Sequence, residues 1–262
     1  MRIRKSMSLG FLFRVAGVAG ALGISASAAP LSPVASLVGC TVAPTSVQDP
    51  TFCSVSGSST ASASATLPFV SLTASAFSSA GSGTQGSATG GMTYFFQVTG
   101  GFVGDQVPLL VQMTLTATST EAQSPKSYAQ ASFATFTSLD GLRSGPQVCT
   151  YVAICSSLVT SFSGTTSIRA SSGSLGDFVN ITVSAHAAGG FTGTVDESAS
   201  AFIDPYIYVD PSFPNAALYS VIVSPGVTNA LPGSAPEPAT LPLLGCAIGT
   251  LSLLRRRYAR VS

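Results

Sequence analysis

The fold is decided most clearly by residues 107–118, which read VPLLVQMTLTAT. Apolar side chains occupy every odd position from Val107 to Ala117, and most of the even positions are polar. A period of two places alternate side chains on opposite faces of a β-strand, so the pattern predicts a strand with one buried and one open face. Pro108 stands near the start of the stretch, where a strand tolerates the loss of one backbone N–H.

Segments of similar character lie on both sides of this strand. Turn signals separate them, and Gly100-Gly101 and Asp140-Gly141 are the clearest. The predicted strands cover residues 92–99, 128–139, 157–170, 177–187, 198–203, 206–208 and 219–223. Many short strands with turns at short intervals, and no helical period, predict an all-β antiparallel β-sandwich of a jelly-roll-like type.

A segment that is low in complexity precedes the clear strands. Residues 54–91 are rich in Ser, Ala and Gly, and the Ala/Ser alternation from Ala61 to Ala65 is compatible with a strand of small side chains or with a flexible linker. We predict one or two poorly packed strands in residues 60–77 and a loop in residues 78–91.

The central part of the chain is acidic once both ends are set aside. Between residues 29 and 235 there are three basic residues, Lys126, Arg143 and Arg169. The nine acidic residues of the same range are Asp49, Asp105, Glu121, Asp140, Asp177, Asp196, Glu197, Asp204 and Asp210, which gives a formal charge of −6. Such a body has no basic patch to neutralise phosphates, so nucleic acid is excluded as an expected partner.

Four cysteines lie in this body, at Cys40, Cys53, Cys149 and Cys155. Four cysteines allow three disulfide connectivities, and we expect the local one, Cys40–Cys53 with Cys149–Cys155. A zinc site is the alternative. It is disfavoured because no C-x-x-C spacing occurs and because the chain's one histidine, His186, is distant in sequence.

The N-terminus has the pattern of a secretory signal peptide. Arg2, Arg4 and Lys5 precede an apolar stretch at residues 15–24, and Ala26-Ser27-Ala28 is a small-residue cleavage site. We predict a signal peptide at residues 1–28 that is cleaved between Ala28 and Ala29 after passage through the Sec translocon. An uncleaved anchor is the alternative, but the apolar stretch is short and ends in small residues.

The C-terminus has three consecutive parts, in residues 235–262. The rigid tripeptide Pro236-Glu237-Pro238 precedes a predicted helix at residues 239–254, and the basic cluster Arg255, Arg256 and Arg257 follows it. The apolar run at residues 241–254 would be about 21 Å long as a helix, which is shorter than a hydrocarbon core of ~30 Å. Arginines directly after such a run are a stop-transfer signal, whereas a buried core helix would not be expected to end in three of them.

This order of tripeptide, short apolar helix and arginine cluster resembles the PEP-CTERM sorting signal of Gram-negative bacteria. The resemblance implies recognition by an exosortase, which is a membrane-embedded cysteine peptidase. It also implies transient insertion into the inner membrane, followed by delivery to the cell surface, outer envelope or extracellular matrix. The chain is then divided into a signal peptide, a β-sandwich ectodomain at residues 29–231, and the sorting signal.

The ectodomain offers no recognisable catalytic set. The sequence contains no G-x-S-x-G motif, and His186 lies on the polar face of its strand with Asn180, Thr182 and Ser184.

Three Asp-Pro pairs, at Asp49, Asp204 and Asp210, are interpreted as turn initiators. The alternative is a surface calcium site, with ligands drawn from Asp204, Asp210, Asp196 and Glu197. Tyr94, Tyr151, Tyr206 and Tyr208 are expected to pack within the strands, with sugar stacking as the alternative.

We therefore expect a non-enzymatic, exported protein with a structural or adhesive role at the surface or in an exopolysaccharide matrix, and with no cofactor or metal. The alternative is a carbohydrate-binding module or a weak glycan hydrolase. The expected partners are the translocon, the exosortase and exopolysaccharide.

The tripeptide is the element that the sorting hypothesis tests most directly. Replacing Glu237→Ala together with Pro238→Ala removes the motif and leaves the apolar helix intact. We expect the uncleaved protein to be retained in the inner membrane, as measured by cell fractionation and immunoblotting. Deleting Arg255 to Arg257 is the control and should disturb membrane insertion instead. A trimmed product of the double variant in the medium would contradict the hypothesis.

Overall fold

A computed structural model describes residues 30–121, 123–155, 158–190 and 194–229. The predicted signal peptide with its Ala28/Ala29 junction lies outside the described residues, and so does the predicted sorting signal with its tripeptide, helix and arginines. In the described ranges, no helix is long and apolar enough to cross a membrane.

The described chain is all-β. Its strands are β1 (Ala35–Val42), β2 (Thr45–Asp49), β3 (Phe52–Ser56), β4 (Ser59–Thr66), β5 (Ser71–Ser78), β6 (Gln85–Gly100), β7 (Gln106–Ser119), β8 (Ser127–Thr137), β9 (Gly141–Cys149), β10 (Ser161–Ser171), β11 (Asp177–Ala188), β12 (Glu197–Val209) and β13 (Tyr219–Val223). Two single-turn 3-10 helices, Val152–Ile154 and Ala216–Leu218, complete the regular structure of these residues.

The strands form two antiparallel sheets, which confirms the predicted antiparallel β-sandwich. Sheet A has the order β2-β1-β6-β11-β8-β9, with β13 paired to the far part of β6. Sheet B has the order β10-β7-β12-β5-β4-β3. From β5 onward the chain passes from one sheet to the other at every connection up to β12, except between β8 and β9.

The stretch at residues 107–118 forms most of β7, as its alternation predicts. Every apolar side chain at its odd positions is at most 1 % exposed. The Asp140-Gly141 turn is confirmed as well, since it joins β8 to β9 and Gly141 has a φ of +67°. These segments were predictable because one of their faces is buried against a second sheet and the other is open to solvent.

The low-complexity segment contains the predicted strands, but the sequence prediction is wrong about their packing and about the loop that follows them. Two regular strands, β4 and β5, are present in residues 60–77, and their inward alanines are buried instead of poorly packed. The second half of the predicted loop at residues 78–91 is instead the beginning of β6, the longest strand. Its inward residues there are Gly86, Ala88 and Gly90, which carry too little apolar surface to give a clear period of two.

The prediction of a turn at Asp204-Pro205 is also wrong, because both residues lie within the continuous strand β12. The pairing of β12 with β5 stops at Ile203. Proline has no backbone N–H, and at position 205 no β5 residue is left for such a group to bond, so the strand loses no hydrogen bond there. The other two pairs do form turns. Asp49 accepts the backbone N–H of Phe52, and Asp210 accepts that of Ser212.

Side-chain size changes along the interior of the sandwich. One end, called here the bulky end, includes the β6–β7 and β10–β11 loops, and its core contains side chains such as Tyr94 and Phe96. The opposite end, called the alanine end, includes the loops after β5 and β11. Its inward residues are small: Ala61, Ala63, Ala76, Gly86, Ala88, Ala117, Ala129, Ala131, Ala185, Ala187, Ala199 and Ala201. The sheets approach so closely here that a Cβ at Gly86 would lie 2.4 Å from the carbonyl oxygen of Thr60.

Covalent and ionic links hold the margins of the sandwich. The structure contains the expected disulfides, Cys40–Cys53 between β1 and β3, and Cys149–Cys155 after β9. At the margin formed by β9 and β10, Asp140 accepts the backbone and side-chain N–H groups of Arg169 and one N–H of Arg143. Burial raises the pKa of Asp140, but these hydrogen bonds and the two positive charges hold it below its usual value.

The glycines of β6 allow a matched stability test. We expect Gly86→Ala to destabilise the protein by about 1–3 kcal/mol, because the new methyl group meets backbone atoms of the facing sheet. Gly91→Ala, five residues along the same strand, should be neutral or stabilising by up to about 1 kcal/mol, since a Cβ there meets nothing within 4 Å. Urea denaturation measures both changes. Equal free energies of unfolding for the two variants would contradict the tight sheet packing.

Candidate functional site

The outer face of sheet A is the candidate site. It consists of the outward side chains of β1, β6, β11 and β8, with β2 at its margin. The strand register arranges these side chains in rows across the sheet, because directly paired residues point to the same face. The two central rows are Gln48, Gly39, Thr89, Ser184 and Gln130, and then Leu37, Gly91, Thr182 and Ser132.

A shallow depression of about 430 Å³ occupies the middle of this face. Its floor is low because two of the central positions, Gly39 and Gly91, are glycines. A Cβ added at Gly91 would meet no atom within 4 Å, so the missing side chain leaves open space. The walls present the hydroxyl groups of Thr89 and Thr182 and the amide of Gln130.

Aromatic side chains lie on the same face on both sides of the depression. Toward the bulky end, the ring of Phe178 stacks on that of Phe136 at 5.3 Å and meets that of Phe95 edge-on at 5.9 Å. Toward the alanine end, His186 and Tyr128 stack at 4.8 Å. Phe178 and His186 are eight residues apart on β11, so the two clusters are separated by about 27 Å at a rise of ~3.4 Å per residue.

The outward positions of β6, β8 and β11 carry no Asp, Glu, Lys or Arg. His186 is their one titratable group near neutrality, and burial against Tyr128 lowers the pKa of its imidazole, so the ring is neutral at pH 7. Polar groups of the face are oriented by mutual hydrogen bonds, at 2.6 Å between Ser132 and Thr182 and at 2.8 Å from Asn180 to Thr93. The face is therefore polar but uncharged.

This combination suits a neutral, hydroxyl-rich ligand. Hydroxyl and amide side chains both donate and accept hydrogen bonds, which matches the hydroxyl groups of a sugar. The flat faces of aromatic rings supply apolar contact area, on which the C–H face of a sugar ring can pack. A length of about 27 Å between the clusters fits a chain of several sugar units better than a single small molecule.

The four acidic residues considered as calcium ligands are not brought together. Asp196 caps the loop after β5 by accepting the N–H of Ala80, and Asp210 caps its own turn at the opposite end. Glu197 is buried at the start of β12, and Asp204 lies on the outer face of sheet B. Among the described residues, no group of three potential metal-binding side chains occurs.

The four tyrosines considered for sugar stacking lie in three different parts of the sandwich. Tyr94 is buried in the core, where burial raises the pKa of its hydroxyl, so it is a packing residue. Tyr206 and Tyr208 stack on each other at 5.3 Å on β12 of sheet B. Tyr151 lies beside Tyr128, at a ring distance of 6.1 Å, and thus borders the candidate site.

Sequence reasoning missed this site in two ways. Thr89 and Gly91 fell in the segment predicted as a loop, so the centre of the face was not seen. His186 was correctly placed with Asn180, Thr182 and Ser184, but its stacking on Tyr128 depends on the pairing of β11 with β8. The polar side chains that alternate along β6, β8 and β11 were the available signal, but they do not show which strands are neighbours.

Comparisons with known proteins add no further assignment. No family model matches the chain, and no curated protein matches it.

Proposed function

We propose that the protein is an exported, non-catalytic glycan-binding component of the cell surface or exopolysaccharide matrix. In this proposal a neutral polysaccharide chain lies on the outer face of sheet A, across the depression and between the two aromatic clusters. The proposal joins the structural or adhesive role expected from the sequence with its carbohydrate-binding alternative.

The observation that carries the proposal is the uncharged depression with aromatic rings on both sides. Ser/Thr-rich faces are common on secreted β-proteins, so hydroxyl groups alone would favour no ligand. Here the floor is lowered at Gly39 and Gly91, and rings flank it along the strand direction. A linear, neutral polymer is the ligand class that would use the uncharged surface, the lowered floor and the flanking aromatic rings together.

Binding is favoured over hydrolysis by the composition of the face. Glycoside hydrolysis needs two carboxyl groups on either side of the scissile bond. The outward positions of the three central strands have none, and the nearest titratable group is a neutral imidazole. The weak hydrolase is therefore the less supported form of the carbohydrate alternative.

The strand order provides a further, weaker argument by analogy. Strands β5 to β12 form two four-stranded halves, β5-β12-β7-β10 and β6-β11-β8-β9. We interpret this order as a jelly roll to which β1–β4 and β13 are added at the margins. Jelly rolls include many lectin domains, but the fold alone does not determine a function.

Delivery to the surface is proposed from the two ends of the sequence. The signal peptide would direct the chain to the Sec translocon, and the tail would hold it in the inner membrane until an exosortase acts at Pro236-Glu237-Pro238. Two disulfides are compatible with this route, because such bonds persist mainly in oxidising compartments.

Filling the depression tests the proposed function. Gly91→Leu places a side chain on the floor without meeting neighbouring atoms at its Cβ. We expect the affinity for the host's neutral exopolysaccharide to fall by about tenfold or more, which corresponds to ~1.4 kcal/mol, while the unfolding midpoint is unchanged. Affinity electrophoresis of the full-length protein in gels that contain the polysaccharide measures the change.

A pair of threonine variants provides the control. Each variant removes one threonine hydroxyl that is hydrogen-bonded to a serine hydroxyl on the neighbouring strand. Thr182→Val does so on the outer face of sheet A, and Thr73→Val on the outer face of sheet B. Only Thr182→Val should weaken polysaccharide binding. Equal retention of the wild type, Gly91→Leu and Thr182→Val would overturn the proposed site.

A further inference from the structure

Large apolar side chains are exposed together at the bulky end of the sandwich. The most exposed in its connecting segments are Phe102 (83 %), Val103 (90 %), Leu218 (62 %) and Leu175 (58 %), and these four residues are called the apolar tip. They come from three separate segments at one end, which are the β6–β7 loop, the β10–β11 loop and the 3-10 helix before β13. Single exposed apolar residues are ordinary on a protein surface, but a group that converges at one place marks an interaction surface.

Hydrogen bonds between these segments hold the apolar tip in place. The β6–β7 loop is joined to the β10–β11 loop by Gly104 N–H to Ser172 O at 2.9 Å and by Ser172 N–H to Asp105 O at 2.8 Å. The carboxylate of Asp105 also accepts the backbone N–H of Phe102 and the hydroxyl of Tyr219, which follows Leu218. Ser174 donates to Ser138 in the β8–β9 turn. The apolar residues are thus presented by a connected framework.

The chain leaves the described part of the sandwich near the same end. The side-chain amide of Asn229 pairs with both backbone groups of Ile207, accepting at 3.0 Å and donating at 2.6 Å. Thr228 donates its N–H to the carbonyl of Pro68. Ile207 is two residues from the last residue of β12 and ten from its first, so Asn229 is fixed nearer to the bulky end than to the alanine end.

The apolar run of the tail begins only a short distance beyond this point. Eleven residues, 230–240, separate Asn229 from Leu241. They span at most about 40 Å when fully extended, and Asn229 lies opposite Ile207, ten residues and about 34 Å along β12 from Glu197 at the alanine end. Only a nearly fully extended linker would let the alanine end reach the lipid, so a tail that is inserted in a bilayer favours contact by the bulky end, which lies nearer to Asn229.

We propose that the apolar tip rests on the lipid bilayer while the tail is inserted, so that the sandwich stands on the membrane by its bulky end. This inference rests on the tail insertion in the proposed function, but not on polysaccharide binding. In this orientation the strands run away from the membrane. The outer face of sheet A is then exposed to the surrounding polymer instead of lying against lipid.

Contact with the bilayer would depend on apolar surface more than on charge. The arginines at this end, Arg143 and Arg169, are both paired with Asp140, and Asp105 is engaged by Tyr219. No basic cluster of the described residues is available there to favour anionic lipids. Zwitterionic phosphatidylcholine is therefore a sufficient probe surface.

A single introduced tryptophan tests the orientation, because the natural chain has none. Phe102→Trp places the probe in the apolar tip, and Val195→Trp places it at an exposed position of the alanine end. Each full-length variant is reconstituted into phosphatidylcholine vesicles whose acyl chains carry bromine. Flotation with the vesicles is measured first, then the emission maximum and the quenching.

We expect both variants to float, and only the emission of Phe102→Trp to shift to shorter wavelength and to lose intensity to the brominated chains. Flotation without such quenching, or equal quenching of both probes, would overturn the orientation and leave the tail insertion standing. Failure to float would contradict both. A shift of Phe102→Trp that appears without vesicles and grows with protein concentration would assign the apolar tip to a second copy instead, and would overturn the proposal.

Discussion

The close approach of the two sheets at the alanine end is the constraint on which the rest of the molecule depends. A Cβ at Gly86 would lie 2.4 Å from a backbone oxygen of the facing sheet, and most of the inward positions nearby carry Gly, Ala or Ser. Interiors are packed at the density of organic crystals, and a larger side chain could enter only by moving a strand. The inward half of each strand is thereby restricted to packing. Polar and aromatic side chains are therefore found mainly at the outward positions of the strands and in the loops.

That division accounts for where recognition is proposed. On sheet A the outward half carries hydroxyl and amide groups between two aromatic clusters, with Gly39 and Gly91 lowering the centre. The connecting segments of the bulky end carry the apolar tip, which hydrogen bonds hold in place, and Asn229, the last described residue, is fixed nearer to this end than to the other. The two surfaces are roughly perpendicular, so one protein could contact lipid with its end and a polymer with its side. Disulfides and the Asp140–Arg169 pair keep both margins of the sandwich closed.

The sequence predicted those parts of the fold in which burial leaves a clear period of two. Strand β7 follows its alternation of Val, Leu and Met, and β13 was predicted with its observed bounds. The first half of β6 was missed because its inward residues are Gly and Ala, and Asp204-Pro205 was misread because a partner strand ends beside it. The candidate site was not predictable in the same way. It depends on the register of β1, β6, β11 and β8, which are distant in sequence, and a single sequence does not show that pairing.

The central claim is that a neutral glycan lies across the outer face of sheet A. Backbone amide chemical shifts of the isotope-labelled protein, followed during titration with soluble fragments of the host's exopolysaccharide, test it most directly. The account predicts saturable shifts at Thr89, Gly91, Thr182 and Ser184 together with changes at Tyr128 and His186, and none at the matched hydroxyl rows of sheet B, such as Ser62 and Ser75. Shifts confined to sheet B, or no shift at any fragment concentration, would contradict it.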